Sequence, residues 1–208
     1  MAKSECRIND EIRMTNVAIK AVFVDRDHTL IDDPGYLDNP DLVKLLPGVG
    51  GALKALSTAG YKIVMVTNQS GIARGLLTEQ TLAKIHEELG RQLAEHGASL
   101  DAIYYCPFHP EGSIPRYAME SDLRKPKPGM LLQAAKDMAI DLPASWMVGD
   151  GARDIEAGQR AGCRTIRLRH PQADADLRCE DEDVQADFTV RNLAEAAKII
   201  LREDDELH

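Results

Sequence analysis

Short apolar segments alternate with amphipathic ones along most of this 208-residue chain. The apolar segments are rich in β-branched residues, which is typical of buried strands, and they span 20–24, 61–66, 102–105, 146–148 and 163–168. Helical spacing of apolar residues and cap residues predict helices at 48–59, from Thr78 to Gly97, after Gly129, at 152–161 and at 192–201. The alternation predicts an α/β fold: a three-layer, Rossmann-like core with a parallel sheet and helices on both faces.

The predicted elements form one domain, from 20 to 201. A polar N-terminal extension, 1–19, precedes it, and a solvated acidic tail, 202–208, follows it. The segment 107–128 contains five prolines and one glycine, and a connection of that length inside a domain is typical of a functional loop. The other connections are too short for more than a minimal cap over the sheet.

Composition argues against several classes of protein. The net charge of −9, from 34 acidic and 25 basic residues, disfavours a nucleic-acid-binding surface. No apolar run approaches the roughly 20 residues that cross a bilayer, and the first 14 residues lack the apolar centre of a signal peptide. The four cysteines form no CxxC pair. We therefore expect a cytoplasmic protein that uses neither nucleic acid nor membrane, with a monomer as the default state.

Two carboxylates follow the first predicted strand directly. Asp25 and Asp27 are two positions apart, which points both side chains to one side at a strand end. Neighbouring carboxylates repel each other unless a cation or a proton relieves them. The pair could cap a helix or hold a structural cation, but it also suits phosphoryl transfer, in which one carboxylate attacks phosphorus and the other moves a proton.

Polar motifs also follow the second and fourth predicted strands. Thr67, Asn68, Gln69 and Ser70 come after one, and Gly149-Asp150 after the other. In a parallel α/β sheet, ligands bind at the carboxyl ends of the strands, so these motifs are predicted to converge with the two aspartates.

Four motifs taken together resemble those of the haloacid-dehalogenase-like (HAD) phosphohydrolases: Asp25-x-Asp27-x-Thr29, Thr67-Asn68, Lys125-Pro126 and Gly149-Asp150-x-x-x-Asp154. The runs at 33–36, 67–75, 104–107 and 124–130 resemble the bacterial D-glycero-D-manno-heptose 1,7-bisphosphate 7-phosphatases, to which the histidinol-phosphatases are related. The resemblance covers residues 20–170 and weakens beyond them.

The resemblance implies a role for each matching residue. Asp25 is the expected nucleophile that forms an aspartyl-phosphate, and Asp27 the residue that protonates the leaving oxygen and then activates water. Thr67 is expected to hold phosphate oxygens, and Lys125 to neutralise the phosphoryl group. The implied substrate-binding residues are Asp33, Gly35, Tyr36, Asn68, Gln69, Ser70 and Arg124.

The resemblance also implies a magnesium ion. Its expected ligands are Asp25, the main-chain carbonyl of Asp27, and Asp150, with Asp154 in support; oxygen ligands of this kind suit Mg²⁺. The implied activity is Mg²⁺-dependent hydrolysis of phosphate monoesters, with heptose 1,7-bisphosphate, cleaved at C7, as the first substrate. Histidinol phosphate, other sugar or nucleotide monoesters and the 3′-phosphate of a nucleic acid remain alternatives, as does a non-catalytic phosphate-binding module.

The chain departs from the family pattern at three places. His28 stands where the family usually has Gly, and we interpret it as a tolerated, non-catalytic substitution; an ordinary backbone conformation is open to a histidine, and its ring could reach a phosphate or face solvent. Gly151 stands where the heptose enzymes often carry Lys, which removes one cation on the substrate side; Arg124, Lys127 and Arg153 are possible substitutes.

The third departure concerns a structural zinc that the heptose enzymes typically bind. The matching positions are Cys106, Phe108, Ser121 and Leu123, and only the first is a zinc ligand. Since zinc needs about four ligands, no zinc is expected here, and Phe108 and Leu123 are predicted to pack in its place. His109 is the one further candidate ligand nearby.

Overall fold

A computed structural model describes residues 18–33, 35–169 and 184–206. Within them the strands are β1 (Ala21–Val24), β2 (Lys62–Asn68), β3 (Ala102–Cys106), β4 (Trp146–Gly149), β5 (Arg164–Leu168) and β6 (Phe188–Val190). They form one sheet in the order β3-β2-β1-β4-β5-β6, and every neighbouring pair is parallel. The predicted α/β class with a parallel sheet is confirmed.

The helices are α1 (Val49–Thr58), α2 (Ser70–Ala73), α3 (Glu79–Glu95), α4 (Gly129–Met138), α5 (Ala152–Ala161) and α6 (Leu193–Asp205). Two predicted caps are present: the side chains of Thr78 and Asn192 accept hydrogen bonds from the backbone N–H groups of Thr81 and Glu195. None of the helices in the described ranges is long and apolar enough to cross a membrane.

The sheet separates two hydrophobic cores. Val22 and Val24 of β1 face α1, α3 and α6, whereas Ala21 and Phe23 face α4 and α5. Because successive strand residues point to opposite faces, a continuous apolar strand is what a sheet covered on both sides requires. Trp146 is buried, as a core residue should be.

The structure differs from the sequence prediction at the far edge of the sheet. The short strand β6 was not predicted, and α6 continues to Asp205 instead of ending at residue 201. Part of the predicted acidic tail is therefore helical: Glu203 pairs with Arg164 at 2.7 Å, and Asp204 with Lys20 at 2.5 Å. Residues 1–17 of the predicted extension and 207–208 of the tail lie outside the described residues.

The connections at the carboxyl edge of the sheet are short apart from one. Between β1 and α1, the described residues contain only a 3-10 turn, Pro40–Leu42, and isolated bridges. The segment 107–128 has neither a helix nor a strand, and it lies against the end of α2, where the Ile114 N–H donates to the Ala73 carbonyl at 2.9 Å. Within the described residues, neither connection contains a helix or strand other than the 3-10 turn and isolated bridges.

Candidate active site

The predicted polar motifs meet at three adjacent strands. Asp25 follows β1, Thr67 lies near the end of β2, and Asp150 follows β4. β1 lies between the other two, and the strand order reverses direction between β1 and β4. Such a reversal opens a crevice at the carboxyl ends of the strands, which is where ligands bind in open α/β sheets.

Lys125 is the electrostatic centre of the crevice. Its Nζ lies 2.8 Å from Asp25 Oδ1 and 2.7 Å from Asp154 Oδ1, and it donates to the Val66 carbonyl at 2.7 Å. The residue is only 1% exposed. Desolvation alone would lower the pKa of Lys125, but the charges of Asp154 and Asp25 raise it above its usual value, so the ammonium remains protonated.

Asn68 fixes the backbone of Lys125. Its side-chain amide donates to the Lys125 carbonyl at 3.0 Å, and its side-chain carbonyl accepts from the Lys125 N–H at 3.1 Å. The end of β2 thus holds the lysine in place through two reciprocal hydrogen bonds.

Asp154 is committed to interactions within the protein. One oxygen pairs with Lys125, and the other accepts from the Gly151 N–H at 3.0 Å at the start of α5. A Cβ atom at residue 149 would lie 2.4 Å from Asp154 Oδ2, so only glycine allows this carboxylate to approach β4.

Asp25, Asp150 and Asp154, termed here the carboxylate cluster, bring oxygen atoms within 4.8 Å of one another. Asp150 Oδ1 is buried and has no hydrogen-bond partner among the described residues. Burial, followed by the charges of Asp154 and Asp25, raises the pKa of Asp150 to about 7. An unsatisfied carboxylate oxygen between two other acids is suited to a hard divalent cation, so the donor set fits a metal such as Mg²⁺.

The two aspartates after β1 have opposite electrostatic environments. Burial opposes ionisation of Asp25, but Lys125 and Arg153 outweigh it and lower the pKa of Asp25 below its usual value. Burial raises the pKa of Asp27; Arg26 offsets part of this rise, and the charge of Asp25 adds to it. Environments that separate the pKa values of neighbouring acids are how one site provides both an ionised carboxylate and a proton donor.

Two side chains that sequence reasoning did not assign as supports hold Asp27. Arg26 Nε donates to Asp27 Oδ1 at 2.7 Å, and Gln69 Nε2 donates to Asp27 Oδ2 at 3.1 Å and to Thr67 Oγ1 at 2.9 Å. Gln69 was predicted to line the site, but not to connect Thr67 with Asp27. The one sequence signal for Arg26 is a cation at the end of an apolar strand, yet the residue is 1% exposed.

His28 does not adopt the ordinary backbone conformation that is open to a histidine. Its φ angle is +56°, in the left-handed region that favours glycine. Two backbone hydrogen bonds close a tight turn around His28: its N–H donates to the Ile31 carbonyl, and the Ile31 N–H donates to the Arg26 carbonyl. The position therefore has the geometry of glycine and carries a side chain at some cost in strain.

The predicted substrate-binding residues after β1 lie at the mouth of the crevice. Asp33 accepts a hydrogen bond from the Gly35 N–H at 3.0 Å. Tyr36 is 48% exposed, and its ring lies close to Gly71 of α2, the helix that begins at the half-buried Ser70. Both loops thus contribute to one wall of the site.

Cationic side chains continue from the end of α2, where Arg74 is the C-cap residue. Desolvation lowers the pKa of Arg124, and the positive charges of Arg153 and Arg74 lower it further, although Cys106 and Glu120 oppose this. Arg124 Nη1 and Arg74 Nε are both buried without a hydrogen-bond partner in the part of the chain that the structure describes. Arg74 Nη2 lies 3.4 Å from His109 Nε2 and 3.8 Å from Glu111. Arg74 and Arg124 are called the cationic wall below.

The positions that match the zinc ligands of the heptose enzymes do not form a metal site. Cys106, Phe108 and Leu123, termed the loop anchor, pack against the core on the α4 side. Burial raises the pKa of the Cys106 thiol. His109 Nδ1 accepts from the Glu111 N–H at 3.1 Å, which engages the other candidate ligand. One protonated thiol does not fit tetrahedral zinc.

Comparison with known proteins places these features in context. The HAD-hydrolase-like family model matches residues 122–196. The chain is 39% identical over 186 residues to the D-glycero-β-D-manno-heptose-1,7-bisphosphate 7-phosphatase of Yersinia pestis, a match that covers 88% of this chain and 96% of that protein. It is 42% identical over 182 residues to the protein of the same name from Pasteurella multocida (strain Pm70), covering 87% and 96%.

A solved structure agrees with these sequence matches. The D,D-heptose 1,7-bisphosphate phosphatase of B. bronchiseptica, complexed with magnesium and phosphate, superimposes with a TM-score of 0.77 at 33% identity. The match covers 89% of this chain and 99% of that one.

Proposed function

This chain belongs to the D-glycero-β-D-manno-heptose-1,7-bisphosphate 7-phosphatase family of HAD-like hydrolases, and on that basis we propose that it hydrolyses the 7-phosphate of a heptose 1,7-bisphosphate. One observation carries the proposed chemistry: two acids at the end of β1 whose environments shift their pKa values in opposite directions. The lowered pKa of Asp25 suits a nucleophile, and the raised pKa of Asp27 suits a general acid.

The proposed reaction has two steps. Asp25 attacks phosphorus while the bond to the substrate oxygen breaks, and Asp27 gives its proton to that oxygen. Water then attacks phosphorus in the aspartyl-phosphate, Asp27 takes the water proton, and inorganic phosphate leaves with Asp25 restored. Arg26 and Gln69 keep both Asp27 oxygens in place, and Lys125 neutralises Asp25.

Mg²⁺ is the proposed cofactor, with Asp25, Asp150 and the Asp27 main-chain carbonyl as its ligands. When bound, the ion supplies the positive charge that allows a phosphate dianion to approach a carboxylate. Asp154 is the proposed support, since its two oxygens are already engaged by Lys125 and Gly151. Thr67 at the end of β2 is proposed to hold phosphate oxygens.

The cationic wall supports a substrate with a second anionic group. Within the part of the chain that the structure describes, Arg74 Nε and Arg124 Nη1 are buried without hydrogen-bond partners, and buried donors of this kind cost free energy unless a ligand satisfies them. A guanidinium matches a phosphate group well. A bisphosphate uses this wall with one phosphate while the other lies at Asp25, whereas a monophosphate leaves it empty.

A substrate panel tests the proposal. Purified protein with MgCl₂ is assayed for phosphate release from heptose 1,7-bisphosphate, histidinol phosphate and a 3′-phosphorylated oligonucleotide, beside Asp25→Asn and the exposed control Asp38→Asn. We expect the bisphosphate to give the highest kcat/KM, and Asp25→Asn to lose roughly 10³-fold or more. Undiminished turnover by Asp25→Asn would contradict the nucleophile, and preference for another substrate would contradict the heptose assignment.

We also propose a cytoplasmic location. Cys106 and Cys163, the cysteines among the described residues, are both free thiols, which agrees with a reducing compartment.

A further inference from the structure

Arg153 occupies a position that helix stability does not favour. It is the second residue of α5, after the N-cap Gly151. The N-terminus of a helix carries partial positive charge, so a cation in the first turn is unfavourable. Helical spacing offers Glu156 as a local partner, but Glu156 pairs with Arg160 at 2.7 Å instead.

The side chain of Arg153 folds back over Gly151. A Cβ atom at residue 151 would lie 3.5 Å from both Cγ and Nε of Arg153, so the arginine passes directly over the position where a longer side chain would start. Gly151 thus leaves room for a cation that comes from residue 153. The heptose enzymes often carry a lysine at the position of Gly151. In this chain Arg153 supplies a positive charge in the space that such a lysine would use.

Arg153 faces the acidic part of the crevice without being engaged by it. The Cβ position at residue 151, which lies 3.5 Å from Arg153 Nε, also lies 3.4 Å from Asp154 Oδ2, so the guanidinium and this carboxylate border the same space. Desolvation would lower the pKa of Arg153, but the charges of the acids around the crevice raise it, that of Asp154 most. Among the described residues it forms no hydrogen bond and no ion pair, and it is exposed to solvent. A guanidinium near an anionic cluster with its donors free is available to a ligand.

We propose that Arg153 binds the phosphate group that undergoes transfer, as a substrate-binding residue made possible by Gly151. The proposal rests on the proposed function and adds to it a specific residue pair. A phosphate next to Asp25 faces carboxylates on several sides, and a guanidinium in this place donates to phosphate oxygens while reducing that repulsion.

Binding of inorganic phosphate tests this assignment without turnover. Calorimetry at saturating MgCl₂ compares the wild type with Arg153→Gln, Arg153→Lys and the double variant Gly151→Lys/Arg153→Gln. We expect Arg153→Gln to weaken phosphate binding roughly ten- to a hundredfold, Arg153→Lys to weaken it less, and the double variant to regain part of the loss. Arg91→Gln, on α3 and paired among the described residues only with Glu88 and Glu95 of the same helix, is the control and should bind like the wild type.

Other outcomes separate the two proposals. If the wild type binds phosphate and hydrolyses the substrate but Arg153→Gln binds phosphate within twofold of it, the assignment of Arg153 is overturned and the proposed function stands. If Arg153 only balanced the charge of the carboxylates, Arg153→Gln would bind phosphate like the wild type and would bind Mg²⁺ more tightly. If the wild type neither binds phosphate nor hydrolyses any phosphomonoester, both the proposed function and the assignment of Arg153 are overturned.

Discussion

The carboxylate cluster and the loop anchor lie at the same edge of the sheet, yet they are built in opposite ways. In the cluster, Asp150 keeps a buried oxygen without a partner and a pKa raised to about 7. In the anchor, Phe108 and Leu123 pack against the core beside the protonated thiol of Cys106. A site that needs an ion remains electrostatically unsatisfied without one, whereas a site that only holds a loop is complete through packing. This difference is the reason why we propose the cluster as the functional region.

The largest expected effect comes from breaking the charge balance of the cluster. Lys125→Met leaves Asp25 and Asp154 buried without their cation, and we expect a loss of about 3–5 kcal/mol in the free energy of unfolding. Urea denaturation measures it. Lys127→Met is the matched control, because that side chain is 42% exposed and makes only surface pairs; it should lose less than about 1 kcal/mol. Equal losses would show that Lys125 does not balance the cluster.

The stability of the loop anchor should depend on the volume of its buried side chains and not on charge. Phe108 is partly buried, and its ring centroid lies 6.0 Å from that of Tyr117. Phe108→Ala is expected to cost about 1–3 kcal/mol, below the range for a fully buried phenylalanine. Urea denaturation measures the cost, and limited proteolysis should show earlier cleavage within 107–128. Met119 is exposed in the same segment, so Met119→Ala should change neither the free energy of unfolding nor the rate of cleavage. If Phe108→Ala also left both quantities unchanged, Phe108 would not anchor the loop.

Asp150 tests whether the cluster is strained without its ion. In the metal-free folded protein the carboxyl group of Asp150 stays protonated up to about pH 7. In the unfolded chain the same group has its ordinary pKa of 3.8 and loses its proton near that pH. The folded state therefore binds more protons between these values, so stability falls as pH rises from 4 to 7.

Asp150→Asn removes the cost of ionising a buried carboxyl group next to two other acids. At pH 8 without metal, the variant should be more stable by about 1–2 kcal/mol, a rise in melting temperature of a few degrees. Calorimetric scans from pH 5 to 8 should show a flatter dependence than for the wild type or Asp38→Asn, and MgCl₂ should stabilise the variant less. A variant that is less stable than the wild type at pH 8 would argue against a strained cluster.

The smallest effect is expected at His28, beside the cluster. His28→Gly relieves the positive φ angle of +56°, but it also adds freedom to the unfolded chain, so the net gain should be below about 1 kcal/mol. Ala139→Gly, at φ +53° after α4 and away from the site, provides a matched comparison by thermal denaturation. A clear loss in His28→Gly alone would show that the imidazole makes a stabilising contact.

Much of the fold was predictable because strand and helix patterns are local. The strands β1 to β5, most of whose residues are buried or half-buried, were all predicted, but the three residues of β6 are half-exposed or exposed. The extension of α6 to Asp205 depends on Arg164 and Lys20, which are distant in sequence, so composition alone indicated a solvated tail.

The candidate site was predictable as a set of residues but not as a set of contacts. Asp25, Lys125 and Asp154 were named from motifs, yet their arrangement around one ammonium depends on three separate elements. The support of Asp27 by Arg26 and Gln69, and the path of Arg153 over Gly151, depend on side-chain directions that no spacing reveals.

The sequence by itself determined the class of fold, the edge of the sheet at which polar groups gather and the type of chemistry they suit, because strand periodicity and motif order are properties of the linear chain. Only the tertiary structure decided which carboxylate is ionised, which oxygen lacks a partner, and that His28 takes a backbone conformation suited to glycine. Those outcomes depend on burial and on charges brought together from distant positions, and a pKa or a strained turn has no value until the chain has folded.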